Sequence, residues 1–195
     1  MRLFGGVAPA DWLVVGLGNP GSRYEGTPHN VGFEVARELL ARWDLGAPRR
    51  KFDGLIADGR LPAGAGPSPR VAVLLPQTFM NEAGRSAGPA RGATRVELDH
   101  VVVVHDEIDL PFGELRTRLG GGLAGPNGLK SLKAQLGSAD FVRVRCGVGR
   151  PDSTDPDVVA AHVLGRWRQP AQEVRDLVVR AADATERIVR GEEAP

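Results

Sequence analysis

Apolar runs separated by glycine- and proline-rich turns recur along the chain, and their spacing predicts strands alternating with helices. Leu13, Val14 and Val15, closed by Gly16, read as a buried strand, after which a loop rich in glycine and proline extends to Thr27. Thr27 suits a helix N-cap with Pro28 at the first helical position, and Val31, Val35 and Leu39 recur every four residues along one face until Gly46. Phe52 to Leu61 and Arg70 to Leu75 read as the next two strands, with a surface loop from Pro62 to Pro69. Thr78 to about Arg91 predicts a weaker helix, interrupted by Gly84, Gly88 and Pro89. Val101 to Val104 is a clear buried strand, with Leu115 to Leu119 expected to pair beside it. A glycine-rich segment from Gly120 to Gly128 leads to a short helix, Leu129 to Leu136, stopped by Gly137, and then to a strand from Arg143 to Val148. Asp155 and Pro156 mark another helix start, and Pro170 to Arg190 is a long amphipathic helix with Val174, Leu177, Val178, Ala181, Ile188 and Val189 inward.

This alternation implies an α/β fold: a single-domain, three-layer α/β/α arrangement around a mixed, mostly parallel twisted sheet. One domain is expected over residues 1–195, with residues 1–11 as a loose extension. Such sheets place their sites in loops beyond the carboxyl ends of the strands. Asn19, the segment from His105 to Asp109, and the loop before Thr78 are polar and fall there.

Composition narrows the function classes only a little. Hydrophobic residues make up 42% and charged residues 25% of 195, an ordinary globular balance. A net charge of +1 lacks the basic excess that announces a nucleic-acid binder, so any RNA contact has to be local. The candidates are Arg116, Arg118, Lys130, Lys133, Arg143 and Arg145, whereas Arg49, Arg50 and Lys51 read as solvated surface charge. Cys146 is the only cysteine, which forbids an internal disulfide and suits a reducing compartment. The first ten residues lack the apolar core of a signal peptide and no stretch has the apolar length of a membrane span, so the expected location is cytoplasmic.

The first chemical motif misleads. Gly16-Leu-Gly-Asn-Pro-Gly21 follows a strand and fits G-x-G-x-x-G, the pattern of a dinucleotide site. Here Pro20 and the stretch from Ser22 to Gly26 delay the helix to about Thr27, so its N-terminus is not aimed at a pyrophosphate. Asp58, the one acidic residue near the end of the second strand, comes too late to hold a ribose.

Asn19, His29, Asn81 and Asp106 suggest hydrolysis instead. A histidine can take a proton from water near neutral pH, and a carboxylate on its other ring nitrogen fixes the tautomer. In the first helical turn, the dipole would favour the neutral imidazole that a base requires. With no serine or cysteine nucleophile motif, direct attack by water is the preferred chemistry. Local readings remain open as well: His29 as only a polar first-turn residue, Asp106 as a turn cap, Asn127 as the cap of the following helix, and Asn81 bonded to nearby backbone. Phe79 and Met80 fit a core by pattern, although Phe79 and Tyr24 are retained as candidate substrate contacts. His100, His105 and His162 read as structural, and no spacing suggests a metal site or a cofactor.

Over nearly its whole length, from about Leu13 to Val189, the chain resembles the bacterial peptidyl-tRNA hydrolase family. The resemblance lies in Val15-Gly-Leu-Gly-Asn-Pro-Gly21, Thr27-Pro-His-Asn-Val-Gly32, Pro76-Gln-Thr-Phe-Met-Asn81, His105-Asp-Glu-Ile-Asp-Leu-Pro111, and Gly120-Gly-Gly with Asn127-Gly-Leu-Lys-Ser131. It implies hydrolysis of the ester between peptide and tRNA by a cytoplasmic monomer that binds peptidyl-tRNA and uses neither metal nor membrane. His29 then matches the family's base and Asp106 its orienting carboxylate. Asn19 and Asn81 match the asparagines that hold the peptide end and the reacting carbonyl, and Asn127 one that positions the water. Arg118 and Arg145 match the two basic residues that clamp the 5′-phosphate of tRNA. The chain departs from the family in the glycine-rich loop, where Leu123 and Pro126 replace two histidines. Neither replacement donates a side-chain hydrogen bond, and Pro126 also removes a backbone donor. That departure motivates an alternative, a tRNA-binding relative with weak or no hydrolysis.

Overall fold

The computed structural model describes residues 6–64, 68–123 and 127–195. Among the described residues seven strands form one sheet in the order β2-β3-β4-β1-β5-β7-β6. They are β1 (Trp12–Gly16), β2 (Arg49–Lys51), β3 (Gly54–Arg60), β4 (Arg70–Pro76), β5 (Val101–Glu107), β6 (Leu115–Leu119) and β7 (Val142–Gly147). The central strands β4, β1, β5 and β7 are parallel, and antiparallel strands extend both edges. Helices α1 (Val31–Arg42) and α5 (Ala171–Val189) cover one face, while α2 (Ala83–Thr94) and α3 (Asn127–Leu136) cover the other. The remaining helix, α4 (Pro156–Leu164), packs against the segment that precedes α1.

The strands of the centre are apolar on both faces because both faces are roofed. In β5, Val101 and Val103 point to the α2/α3 side and Val102 and Val104 to the α1/α5 side, all fully buried. The chain goes from β1 to β4 on one side and then to β5 on the other, so the sheet's switch of direction lies at β1. The carboxyl ends of β4, β1 and β5 therefore open a crevice together.

Glycine lets α1 press on that point. A Cβ on Gly32 would meet the Val104 carbonyl oxygen and lie 2.5 Å from the backbone N and O of Leu17, and one on Gly16 would strike the Gly32 carbonyl. The first glycine of the apparent dinucleotide motif thus serves strand–helix contact. The residues after it form a 3-10 turn, Ser22–Tyr24, instead of a helix aimed at the strand end.

Several elements differ from expectation. Leu115–Leu119 pairs with β7 at the sheet edge, because β7 occupies the place beside β5. Arg49–Lys51 is a short strand in a hairpin with β3, closed by Phe52 and Asp53 at φ 55° and 49°, and Arg49 is ion-paired with Asp58. Thr78 and Phe79 are not helical; a 3-10 turn at Met80–Glu82 precedes α2. Glycines and Pro89 do not break α2, because its small residues fit it closely to α3: the Gly84 N–H donates to Ser131 Oγ at 2.9 Å, and a Cβ on Gly84 would collide with the Ser131 carbonyl. Residues 7–11, expected to be loose, are tied down. Val7 and Ala10 pack on the core, Ala10 N–H donates to Thr94 O, and Asp11 Oδ2 accepts from Arg70 N–H at 2.7 Å.

Candidate active site

The crevice holds a cleft of about 640 Å³. Asn19, His29, Asn81, Asp106 and Asn127, drawn from five separate segments, line it together with Phe79. An apolar wall from α4, including Val159, Val163 and Leu164, faces them. This helix starts as expected, with Asp155 Oδ1 accepting the Asp157 N–H. Its run of apolar residues on a short helix is the signal from which the wall could have been anticipated.

His29 sits on a 3-10 turn, Pro28–Asn30, one turn ahead of α1. Thr27 is extended, and its carbonyl accepts the Asn30 N–H at 3.0 Å, but its hydroxyl donates to Tyr24 O rather than capping the turn. His29 Nδ1 lies 3.0 Å from Asp106 Oδ2, and the carboxylate is 3% exposed. Burial of the imidazole disfavours its charged form, yet attraction and hydrogen bonding to Asp106 outweigh that, so the His29 pKa is raised. The dipole-based expectation of a depressed value is thereby corrected, since a buried carboxylate in contact is stronger than a helix end. Nδ1 donates to Asp106, which leaves Nε2 as the basic nitrogen.

Asn19 is held on three sides. Its N–H donates to Asn30 Oδ1 at 2.8 Å, Asn30 Nδ2 donates to its carbonyl at 3.0 Å, and its own Oδ1 accepts the Met80 N–H at 2.8 Å. With Oδ1 engaged, the Nδ2 hydrogens are left for a ligand. Asn30, 1% exposed, is a positioning residue that sequence reasoning missed although it stands inside the Thr27–Gly32 motif. The Asn19–Met80 bond also joins the loops after β1 and β4, placing Asn81 and Phe79 at the cleft. Phe79 is 55% exposed while Met80 is 4%, so only Met80 is core. Tyr24 meets Phe79 edge-on, ring centroids 6.4 Å apart, and braces it from outside the cleft wall.

Arg118 and Arg145 lie outside the cleft, on one face of the β6–β7 edge beside the glycine-rich loop. The loop is anchored from beneath: buried Arg143 donates to the carbonyls of Gly122 at 2.8 Å and Gly120 at 2.6 Å. Leu123 packs on the core of the α2/α3 side, and Pro126 lies outside the described residues. The three other histidines are bonded to backbone carbonyls, His105 to Asp106 O, His100 to Asp11 O and His162 to Val148 O. Among the described residues no group of three His, Cys, Asp or Glu is placed to hold a metal ion, and no helix is long and apolar enough to cross a membrane.

Fold and cleft define a class: three-layer α/β proteins with a histidine–carboxylate pair and amide donors at the carboxyl edge of a parallel sheet. The family model described as peptidyl-tRNA hydrolase matches residues 13–194. The peptidyl-tRNA hydrolase of Kineococcus radiotolerans is 45% identical over 186 residues, covering 91% of this chain and 90% of the relative. That of Halalkalibacterium halodurans is 42% identical over 176 residues, covering 88% and 91%. The crystal structure of peptidyl-tRNA hydrolase from Acinetobacter baumannii superposes with a TM-score of 0.79 at 33% identity, covering 93% of this chain and 89% of that one. The chain belongs to the peptidyl-tRNA hydrolase family.

Proposed function

We propose that this chain cleaves the ester between peptide and tRNA by attack of a water that His29 activates. The observation that carries the reading is the His29–Asp106 pair, with a part-buried imidazole on a buried carboxylate in the cleft beside Asn19 and Asn81, in a chain of this family. Nε2 of His29 takes a proton from water as the oxygen attacks the ester carbonyl carbon, and Asp106 stabilises the imidazolium. Amide donors of Asn81 and Asn19 stabilise the developing oxyanion and hold the adjoining peptide, and Asn127 orients the water. The tetrahedral intermediate collapses by breaking the bond to the ribose oxygen, which leaves with the proton from His29. Peptide acid and free tRNA are the products.

The apolar α4 wall and exposed Phe79 suit peptide side chains, and Arg118 with Arg145 suits the 5′-phosphate of the tRNA, since guanidinium groups bind phosphate oxygens in pairs. A reducing compartment such as the cytoplasm accords with Cys146 being the one cysteine of the sequence and buried, and the chain is read as a monomer. The non-hydrolytic alternative rests on Leu123 and Pro126 alone, while the base, its carboxylate and the asparagines all line the cleft.

Incubation with an N-acetylated aminoacyl-tRNA tests the reading. Release of free tRNA by the wild type, and a loss of about 10² to 10⁴-fold in kcat for His29→Ala, is expected. Full activity in that variant removes His29 as the base; tRNA binding without turnover by the wild type favours the alternative.

A further inference from the structure

The β6–β7 edge concentrates positive charge on the α2/α3 face. Arg143 and Arg145 alternate along β7 with inward residues of the opposite face, and register sets Arg118 across from Arg143 and Arg116 across from Arg145. Arg116 is paired with Glu114 at the surface. Burial and the charges of Arg145 and Arg118 lower the Arg143 pKa, against a smaller opposing effect of the Glu107 charge, so Arg143 is repelled by both neighbouring guanidinium groups. Left to itself, Arg145 would swing away from its neighbours.

One buried carboxylate prevents that. Glu107, 1% exposed at the end of β5, accepts from Arg145 Nε at 3.1 Å and Nη2 at 3.0 Å through Oε2, while its Oε1 accepts the Asp109 N–H at 3.2 Å. These contacts use one edge of the guanidinium. No other hydrogen bond or ion pair of Arg145 is seen among the described residues, so the Nη1–Nη2 edge, with its two parallel N–H groups, is left for an anion. Among the described residues Glu107 bonds Arg145 alone of the three arginines, acting on Arg143 only through its charge, so its two-point contact fixes the orientation of Arg145. Glu107 also directly follows Asp106, and consecutive strand residues point to opposite faces. One rigid strand thus holds the base's carboxylate on one side and the arginine's anchor on the other.

We propose that Glu107 is the positioning residue that aims Arg145 at the terminal phosphate of the tRNA and sets its register against the ester in the cleft. The inference rests on the hydrolase reading above and adds a determinant of substrate choice: Glu107 makes the enzyme prefer 5′-phosphorylated over 5′-hydroxyl tRNA.

The test compares wild type, Glu107→Gln and Glu107→Asp on N-acetylated aminoacyl-tRNA carrying a 5′-phosphate and on the same substrate dephosphorylated. In Glu107→Gln the preference for the 5′-phosphate falls about tenfold, through KM rather than kcat. Glu107→Asp keeps the charge but shortens its reach, so it preserves the fold and loses part of the preference. In an Arg145→Ala background, Glu107→Gln leaves the already lowered preference where it was. An unchanged preference in both single variants overturns the proposal. So does a stronger one, which would show that Glu107 competes with phosphate. If the wild type turns over neither substrate, the hydrolase reading fails, and the affinity of each variant for 5′-phosphorylated against 5′-hydroxyl tRNA still decides the role of Glu107.

Discussion

The Asn30 side chain makes two hydrogen bonds to the Asn19 backbone, accepting its N–H and donating to its carbonyl, across the strand-to-helix loop that starts the cleft. Both residues are buried, so neither bond is replaced by water when the other residue is changed. Asn30→Ala is expected to lower unfolding stability by on the order of 2 to 4 kcal/mol, since it orphans a buried N–H and a buried carbonyl. It should also reduce kcat, because Asn19 loses the frame that aims its amide. Denaturant titration and initial rates on the same preparation check both effects.

The raised pKa of His29 predicts the pH dependence. A base must be neutral, so kcat/KM should fall on acidification with an inflection above 6.5. Asp106→Asn removes the cause of the rise, so its inflection should move to lower pH while the rate drops by about a hundredfold or more. For stability, the protonated pair stabilises the native state fully below the unfolded-state value near 6.5, and that contribution is lost as pH rises through the raised native value. The stability difference between wild type and His29→Ala should therefore shrink from pH 6 to pH 9 in denaturant titrations.

Gly32→Ala should be among the most damaging single-methyl additions in the chain. The new Cβ would meet backbone atoms of Val104 and Leu17, which cannot rotate away as a side chain would. A loss of about 3 kcal/mol is expected, read as a lower denaturation midpoint, together with reduced activity because α1 would lift the His29 turn from Asp106.

Phe79 and Met80 should separate function from stability. Phe79→Ala removes a ring that is 55% exposed, so stability should change by less than about 0.5 kcal/mol while KM for peptidyl-tRNA rises. Met80→Ala empties a buried site beside Gly128 and Leu17 and should cost about 2 to 5 kcal/mol. Thermal melts with steady-state kinetics distinguish the two.

Cys146 is fully buried, paired in register with Asp106 on the next strand, and both burial and that carboxylate push its thiol pKa up. The native protein should not react with an aromatic disulfide reagent at pH 8, whereas one thiol per chain should react in denaturant.

Most strands and helices were legible because each announces itself over a few neighbouring residues. Val101 to Val104 reads as buried without knowledge of its partners, and Thr27-Pro28 marks a helical start wherever it is placed. The candidate chemistry was legible for a related reason: His29, Asp106, Asn19, Asn81 and Asn127 stand at the ends of predicted strands or starts of predicted helices, and all five line one cleft. The α2 segment was harder, since glycine and proline disfavour a helix locally and only close packing against α3 makes those small residues an advantage.

The alternation of strands and helices, the three-layer class, and the short motifs carrying His29, Asp106 and the asparagines could be read from the chain alone, because these depend on spacing within a few turns of chain. Tertiary structure alone decided that Leu115–Leu119 pairs with β7, that Asn30 frames Asn19, that His29 is pushed toward its charged form, and that Glu107 anchors Arg145. Each of those depends on groups brought together from 11 to 77 positions apart in the chain or on burial, as with the 77 between His29 and Asp106. Hydrophobic periodicity says which face of an element is inward, not which element covers it.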